Sequence, residues 1–161
     1  MDVSRRSPVK RAVKTRVRKK STSPGRRART RTIRQSATFD GPPIRVYEIL
    51  MTSEGHSELT GSKARISPVV GGKIDVWDGY ITGENVELVP GVRIVQRVRF
   101  AEEGWPDGHG SLMTVLLGPG PGGGTRLKLT HEDVPVGCAD DIECGWEEFY
   151  WAPLREMARR K

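Results

Sequence analysis

Between residues 63 and 132 the chain is cut into short pieces by glycine, proline and aspartate, and this cutting constrains the fold more than any other feature. The breaks fall at Gly71-Gly72, Asp78-Gly79, Pro90-Gly91, Pro106-Asp107-Gly108 and the run from Gly118 to Gly124. Pieces of this length bounded by turn formers read as strands, here over 63–67, 73–77, 80–89, 93–102, 111–117 and 125–132. Asp78-Gly79 marks a tight hairpin, because both central residues of a type I′ turn need positive φ. The glycine-rich run 118–124 lacks the Lys and Ser/Thr of a phosphate loop and joins two strands, so it is a connection.

Two strands declare their faces. Ile94, Gln96, Val98 and Phe100 point one way and Arg93, Arg97 and Arg99 the other. Likewise Leu127, Leu129 and His131 oppose Arg126, Lys128 and Thr130. One face of an antiparallel sheet is therefore covered and the other is wet and basic. The cover is a helix expected from Asp140, with Glu143 completing a capping box. Its stripe runs through Ile142, Trp146, Phe149, Tyr150, Pro153, Leu154 and Met157. Pro153 should kink it, Trp151 falls off the stripe, and Arg159, Arg160 and Lys161 complement its C-terminus.

Ahead of the strand run, residues 33–39 alternate as a strand. Asp40 caps a helix opened by Pro42-Pro43 and striped by Val46, Tyr47, Ile49 and Leu50. A second short helix spans Ser53 to Gly61 and carries His56 and Leu59. The order is strand, two short helices, six strands and a long helix. This is an α+β domain whose curved antiparallel sheet of six or seven strands wraps a long C-terminal helix and leaves a cavity between them.

The charge is split. Residues 1–34 hold 14 Lys/Arg and one acid, Asp2, whereas residues 35–161 hold 13 basic and 19 acidic residues. Residues 1–32 therefore read as a basic disordered tail, with too little apolar surface to offset the entropy of ordering, and residues 33–161 as the domain. A flexible arm bearing Arg5, Arg6, Lys10, Arg11, Arg18, Lys19, Lys20, Arg26 and Arg27 will bind nucleic acid or another polyanion without reading sequence, or serves only as a solubilising arm. Ser7-Pro8-Val9-Lys10 and Ser23-Pro24-Gly25-Arg26 are similar to the Ser-Pro-basic elements of histone tails, where phosphorylation would cut the local charge. No stretch approaches the roughly 18 apolar residues of a membrane helix. Cys138 and Cys144 are too few for a disulfide scaffold or a metal site and read as two reduced thiols of a cytoplasmic protein.

Many short motifs in order carry a family resemblance. They are Phe39 with Pro42-Pro43 and Val46-Tyr47, then Leu59-Thr60-Gly61-Ser62-Lys63-Ala64, Gly71-Gly72-Lys73 and the run from Asp78 to Asn85. Leu88-Val89-Pro90, Arg93-Ile94-Val95-Gln96, Gly124-Thr125, His131 and the Gly145-Trp146…Tyr150-Trp151 segment complete the series. Together they resemble the C-terminal domain of activators of heat-shock protein 90 ATPase, within the SRPBCC (START-like, birch-pollen-allergen-like) superfamily. The resemblance covers residues 33–158. It implies a helix-grip fold and, as in eukaryotic relatives, co-chaperone binding to heat-shock protein 90 or another protein. In those relatives a separate N-terminal domain makes much of the chaperone contact; here that place holds the basic tail.

Nothing in the spacing forms a nucleophile–base arrangement, and no cofactor or metal is expected. His131 on the covered face reads as a satisfied core histidine. Gln96 beside it either orients a ligand in an apolar cup or hydrogen-bonds to His131 or buried water. The candidate cavity residues are Gln96, Val98, Phe100, Leu129, His131, Trp146, Phe149 and Tyr150. Three function classes follow: a co-chaperone-like or regulatory binding protein, a carrier or sensor of a small hydrophobic ligand, and a cyclase- or hydrolase-like enzyme, of which the first is the reading adopted.

Overall fold

A computed structural model describes residues 29–160. The elements run β1 (Thr30–Phe39), α1 (Pro43–Met51), α2 (Ser53–Thr60), β2 (Ala64–Ile66), β3 (Lys73–Val76), β4 (Ile81–Val89), β5 (Arg93–Phe100), β6 (Ser111–Pro119) and β7 (Thr125–Pro135). A C-terminal helix follows, built as α3 (Val136–Gly145), a π-helical turn (Trp146–Trp151) and α4 (Ala152–Arg159) without a break. The seven strands form one antiparallel sheet in the order β1-β7-β6-β5-β4-β3-β2. Its inner face packs against the C-terminal helix and the α1–α2 pair, and the core is continuous between them. This is the curved sheet wrapped on a long helix expected from the order of elements, and the helix-grip fold that the family resemblance implies.

Several local expectations differ from the structure. The boundary expected at residue 32 falls inside β1, because Thr30 and Arg31 already pair with Pro135 and Val134. The other residues assigned to the tail, 1–28, lie outside the described residues. Asp40 does not cap α1: the cap position is Pro42, two residues on, and no side chain caps the helix there. α2 is closed as expected, with Thr52 accepting the Gly55 amide and Gly61 in the left-handed conformation at its end.

The C-terminal helix begins at Val136 rather than Asp140. Pro135 ends β7 and turns directly into the helix, and the Val136 amide donates to the carbonyl of Arg29, just ahead of β1, at 2.9 Å. A free helix N–H is thus met by backbone, which removes the need for a capping box. Asp140 and Glu143 instead hold Arg31, at 2.7 and 3.1 Å. At the other end Arg45 of α1 donates to the Met157 and Arg160 carbonyls at 2.9 and 2.8 Å, closing the last turn.

Trp151 is buried, not off the stripe. Five residues of α-helix overshoot a full turn by about 140°, so Trp146 and Trp151 could not share a face. A π turn closes one circuit in about five residues, and the Ala152 amide reaches back to the Glu147 carbonyl. The two indoles consequently stack at 5.4 Å with planes 13° apart. Pro153 supplies the physical reason. It has no amide to give, so the regular bonding ladder is already broken at that point.

On the outer face, Arg34, Arg65, Lys73, Arg93, Arg97, Arg99, Arg126 and Lys128 stand among Asp75, Glu84, Glu87 and Glu132, following the alternation fixed by the strand registers. β4 and β5 are drawn together at Gly83, where a Cβ would sit 2.1 Å from the Arg97 carbonyl oxygen and 2.9 Å from the Val98 Cα. Backbone cannot yield there as a flexible side chain would. Gly83→Ala should therefore destabilise the fold by about 2 kcal/mol or more, read as a lower urea midpoint; an unchanged midpoint would remove the close-approach argument.

Candidate functional site

The space between sheet and helix is where the sequence placed its candidates. Inward rows run across the strands as Ile33–His131–Met113–Gln96–Asn85 and Gln35–Leu129–Val115–Ile94–Leu88. The helix lays Trp146, Phe149, Tyr150 and Trp151 over them.

Polar atoms buried there are tied to one another in four groups. The Trp146 indole N–H donates to His131 Nδ1 at 3.2 Å. An indole nitrogen only donates, so Nδ1 accepts and the proton sits on Nε2, which faces Ser111 Oγ at 2.8 Å. The Ser111 hydroxyl donates to the Val98 carbonyl at 3.1 Å. His131 is fully buried and neutral, and desolvation pulls its pKa down to about 4. In the second group His56 Nδ1–H donates to the Leu50 carbonyl at 2.8 Å and Nε2 accepts the Tyr150 hydroxyl at 2.7 Å. Burial lowers the His56 pKa and raises that of Tyr150. In the third, Gln35 accepts the Trp151 indole at 2.7 Å and donates to the Glu143 carbonyl at 2.9 Å. In the fourth, Gln96 donates to Asn85 at 2.9 Å, and Asn85 donates to the Ser67 and Val69 carbonyls at 2.7 and 2.8 Å.

Gln96 and His131 thus take separate partners. The free space is small. A central cavity of about 30 Å³ is lined by Gln96, Val98, Phe100, Trp146, Tyr150 and neighbours. A second of about 30 Å³ lies toward the surface, among Phe100, Trp146, Phe149 and Tyr150. Each has room for one or two waters. Of the eight candidates, these cavities gather six; Leu129 and His131 line neither.

The outer cavity brings in residues that sequence reasoning missed: Trp77, Tyr80, Glu102 and Asp141. Tyr80 donates to Glu102 at its rim. Trp77 and Asp78 both have positive φ, 55° and 53°, in the four-residue turn between β3 and β4, where a two-residue hairpin was expected. A tryptophan in that conformation is an outlier. Its ring meets Phe149 and Tyr150 edge-on at 6.0 and 5.8 Å. Its indole nitrogen is buried without an acceptor among the described residues. The signal available in the sequence was an aromatic on each side of Asp78-Gly79. Cys138 is buried with its pKa pushed up to about 11, chiefly by desolvation, and Cys144 is exposed; both thiols are free.

Residues 40–159 match the family described as activator of Hsp90 ATPase homolog 1-like protein. The chain belongs to that family. Among curated relatives, the activator of 90 kDa heat shock protein ATPase homolog 1 of Homo sapiens is 29% identical over 119 residues, which are 74% of this chain and 34% of that protein. The homologue from Dictyostelium discoideum is 24% identical over 127 residues, 79% of this chain and 33% of that protein. The chain spans about a third of the length of these relatives. Among solved structures, an HSP90 activator from Plasmodium falciparum superposes with TM-score 0.73 at 24% identity, covering 78% of this chain and 94% of that one. The Aha1 dimer from Colwellia psychrerythraea gives 0.68 at 16%, covering 80% and 96%. These likenesses show the helix-grip fold.

The two buried histidines make stability depend on pH. Unfolded, each binds a proton below about pH 6.5; folded, His131 does so only near pH 4. The unfolded state therefore binds more protons in that window, so stability is full above pH 6.5 and falls as pH drops toward 4. For His131 the difference amounts to about 3 kcal/mol, and His56 adds in the same direction. Urea unfolding at pH 7, 6 and 5 should show this loss, and His131→Gln should flatten it by roughly one proton's slope. A slope unchanged by the substitution would mean His131 is charged in the fold.

Proposed function

We propose that this chain is a non-catalytic, cytoplasmic, co-chaperone-like or regulatory binding protein of the heat-shock protein 90 ATPase activator family, acting through its surface on heat-shock protein 90 or another protein. The observation that carries the reading is the filled interior. About 30 Å³ remains in each internal space, and the buried imidazoles and amides are occupied with one another. A domain closed in this way has its outside left for partners. Family membership supports the choice of partner.

A second reading has its own observation. The buried Trp77 indole without an acceptor, at an aromatic rim, suits a small hydrophobic ligand with one hydrogen-bond acceptor. Under that reading the chain carries or senses such a molecule, and the full-length protein would retain it in native mass spectrometry. Residues 1–28 add a third component, a basic segment with 11 Lys/Arg and one acid that binds polyanions non-specifically.

Saturable stimulation of the same organism's heat-shock protein 90 ATPase by the full chain is the expected outcome; an inert chain would retire the activator role. For the basic segment, binding to duplex DNA should weaken with salt at a slope of about −0.9 per phosphate contacted. Salt-independent binding would remove the polyanion component.

A further inference from the structure

We propose that the groove on the outer sheet face floored by Arg97 and Arg99 is the docking site for an extended acidic segment of a protein partner. The proposal rests on the reading of the domain as an interaction module and names the surface and the chemistry of what it meets.

The domain is charged on two sides. Over residues 29–160 it holds 15 basic and 19 acidic residues, net −4. The outer sheet face nevertheless carries eight basic against four acidic side chains. Within that face an open groove of about 590 Å³ runs between β3–β5 and the segment 108–110. It contains two carboxylates, and both are engaged. Glu84, directly across from Arg97, holds Lys73 at 3.2 Å, and Asp75 accepts the Gly79 amide at 2.8 Å. The guanidinium groups of Arg97 and Arg99 have no ion-pair or hydrogen-bond partner among the described residues.

The groove wall is built rather than loose. Trp105 stacks on Phe100 at 5.6 Å and donates to the His109 carbonyl at 2.8 Å. The His109 ring donates to the Asp133 carbonyl at 2.7 Å. Gly110 then lies on the stem of Arg97, where a Cβ would come within 3.1 Å of Cγ. The wall thereby limits the freedom of one guanidinium before anything binds, which lowers the entropy lost on pairing.

Two guanidinium groups two residues apart on one strand are about 7 Å apart along it. That matches the repeat of same-side carboxylates on an extended peptide, and each can be held by a two-pronged contact. Asp75 and Glu84 in the same groove disfavour a polyphosphate backbone, which is uniformly charged. Exposed Leu116 and Val89 flank Arg93 on this face, at 39% and 38% exposure, and offer apolar contact beside the charges.

The test uses the 15N-labelled full chain and an unlabelled ten-residue peptide of alternating Glu and Thr, which places carboxylates on one side only, at low salt. Amide shifts should move at Lys73, Thr82, Arg97, Arg99 and Gly108–Gly110, and Arg97→Ser/Arg99→Ser should weaken that response roughly ten-fold with an unchanged far-UV spectrum. The charge-reversed Arg97→Glu/Arg99→Glu chain should respond there to oligolysine instead. Shifts confined to residues 1–28 or to the helix side would overturn the proposal, as would no response, or a stronger response of the same amides to inorganic pyrophosphate than to the peptide. Peptide binding in the groove by a chain that leaves the chaperone ATPase unmoved would support the groove and remove only that partner. ATPase stimulation retained by Arg97→Ser/Arg99→Ser would count against the groove alone.

Discussion

Each polar atom that the C-terminal helix carries into the core is met by a different element, and the rest of the structure depends on this. Trp146 is held by His131 of β7, Tyr150 by His56 of α2, and Trp151 by Gln35 of β1. Three anchors on three elements fix the helix against both rotation and sliding. A buried donor left unmet costs about 1–3 kcal/mol, so a one-residue slip of the helix would forfeit several such bonds together. The π turn is part of the same arrangement, since without it the third anchor would point away from the sheet.

Fixing the helix this way also closes the cup. The aromatic side chains that satisfy the anchors fill the volume that a curved sheet leaves beneath a helix, down to spaces the size of one or two waters. Interior and exterior therefore differ in kind. Inside, the groups that anchor the helix are paired and the histidines are neutral; outside, the Arg97 and Arg99 guanidinium groups have no counterion among the described residues. Among the described residues, unmet polar atoms lie on the wet face of the sheet and, inside, at the Trp77 indole nitrogen and Arg45 Nε.

Much of the fold was legible because strand punctuation and helical period are local. The alternation at 93–100 and 125–131 placed every inward side chain correctly, and the stripe from Ile142 to Met157 found the covering face. What failed needed contacts distant in sequence. Asp140 and Glu143 form a convincing capping box on paper, but a helix entered straight from a strand has its first amide met by Arg29, more than a hundred residues earlier. Trp151 falls off a stripe drawn with a constant 100° step, which the π turn over Trp146–Trp151, just ahead of Pro153, does not keep. In the candidate site, the inward positions were readable from period two, whereas the partners were not: Gln96 with Asn85 and His131 with Ser111 depend on register, which follows from loops and bulges rather than from composition.

Trp77 shows how the two sides of the sheet are related. Its left-handed backbone and unmet indole N–H each cost on the order of 1–3 kcal/mol, and within the turn Trp77 meets Tyr80 edge-on at 6.3 Å and accepts the Tyr80 amide at its carbonyl. They are sustained by the ring's burial against Phe149 and Tyr150, on the very segment of helix that the π turn widens. The seam between the β3–β4 turn and the π turn is thus a point where the closed interior carries a local cost. β5 runs beneath that seam, with Phe100 facing inward to the outer cavity and Arg97 and Arg99 facing outward to the groove. One residue separates the two environments along the strand. A displacement of β5 large enough to admit a molecule at the seam would carry Arg99 with it, because a strand has no joint between neighbouring residues that could move one face and leave the other.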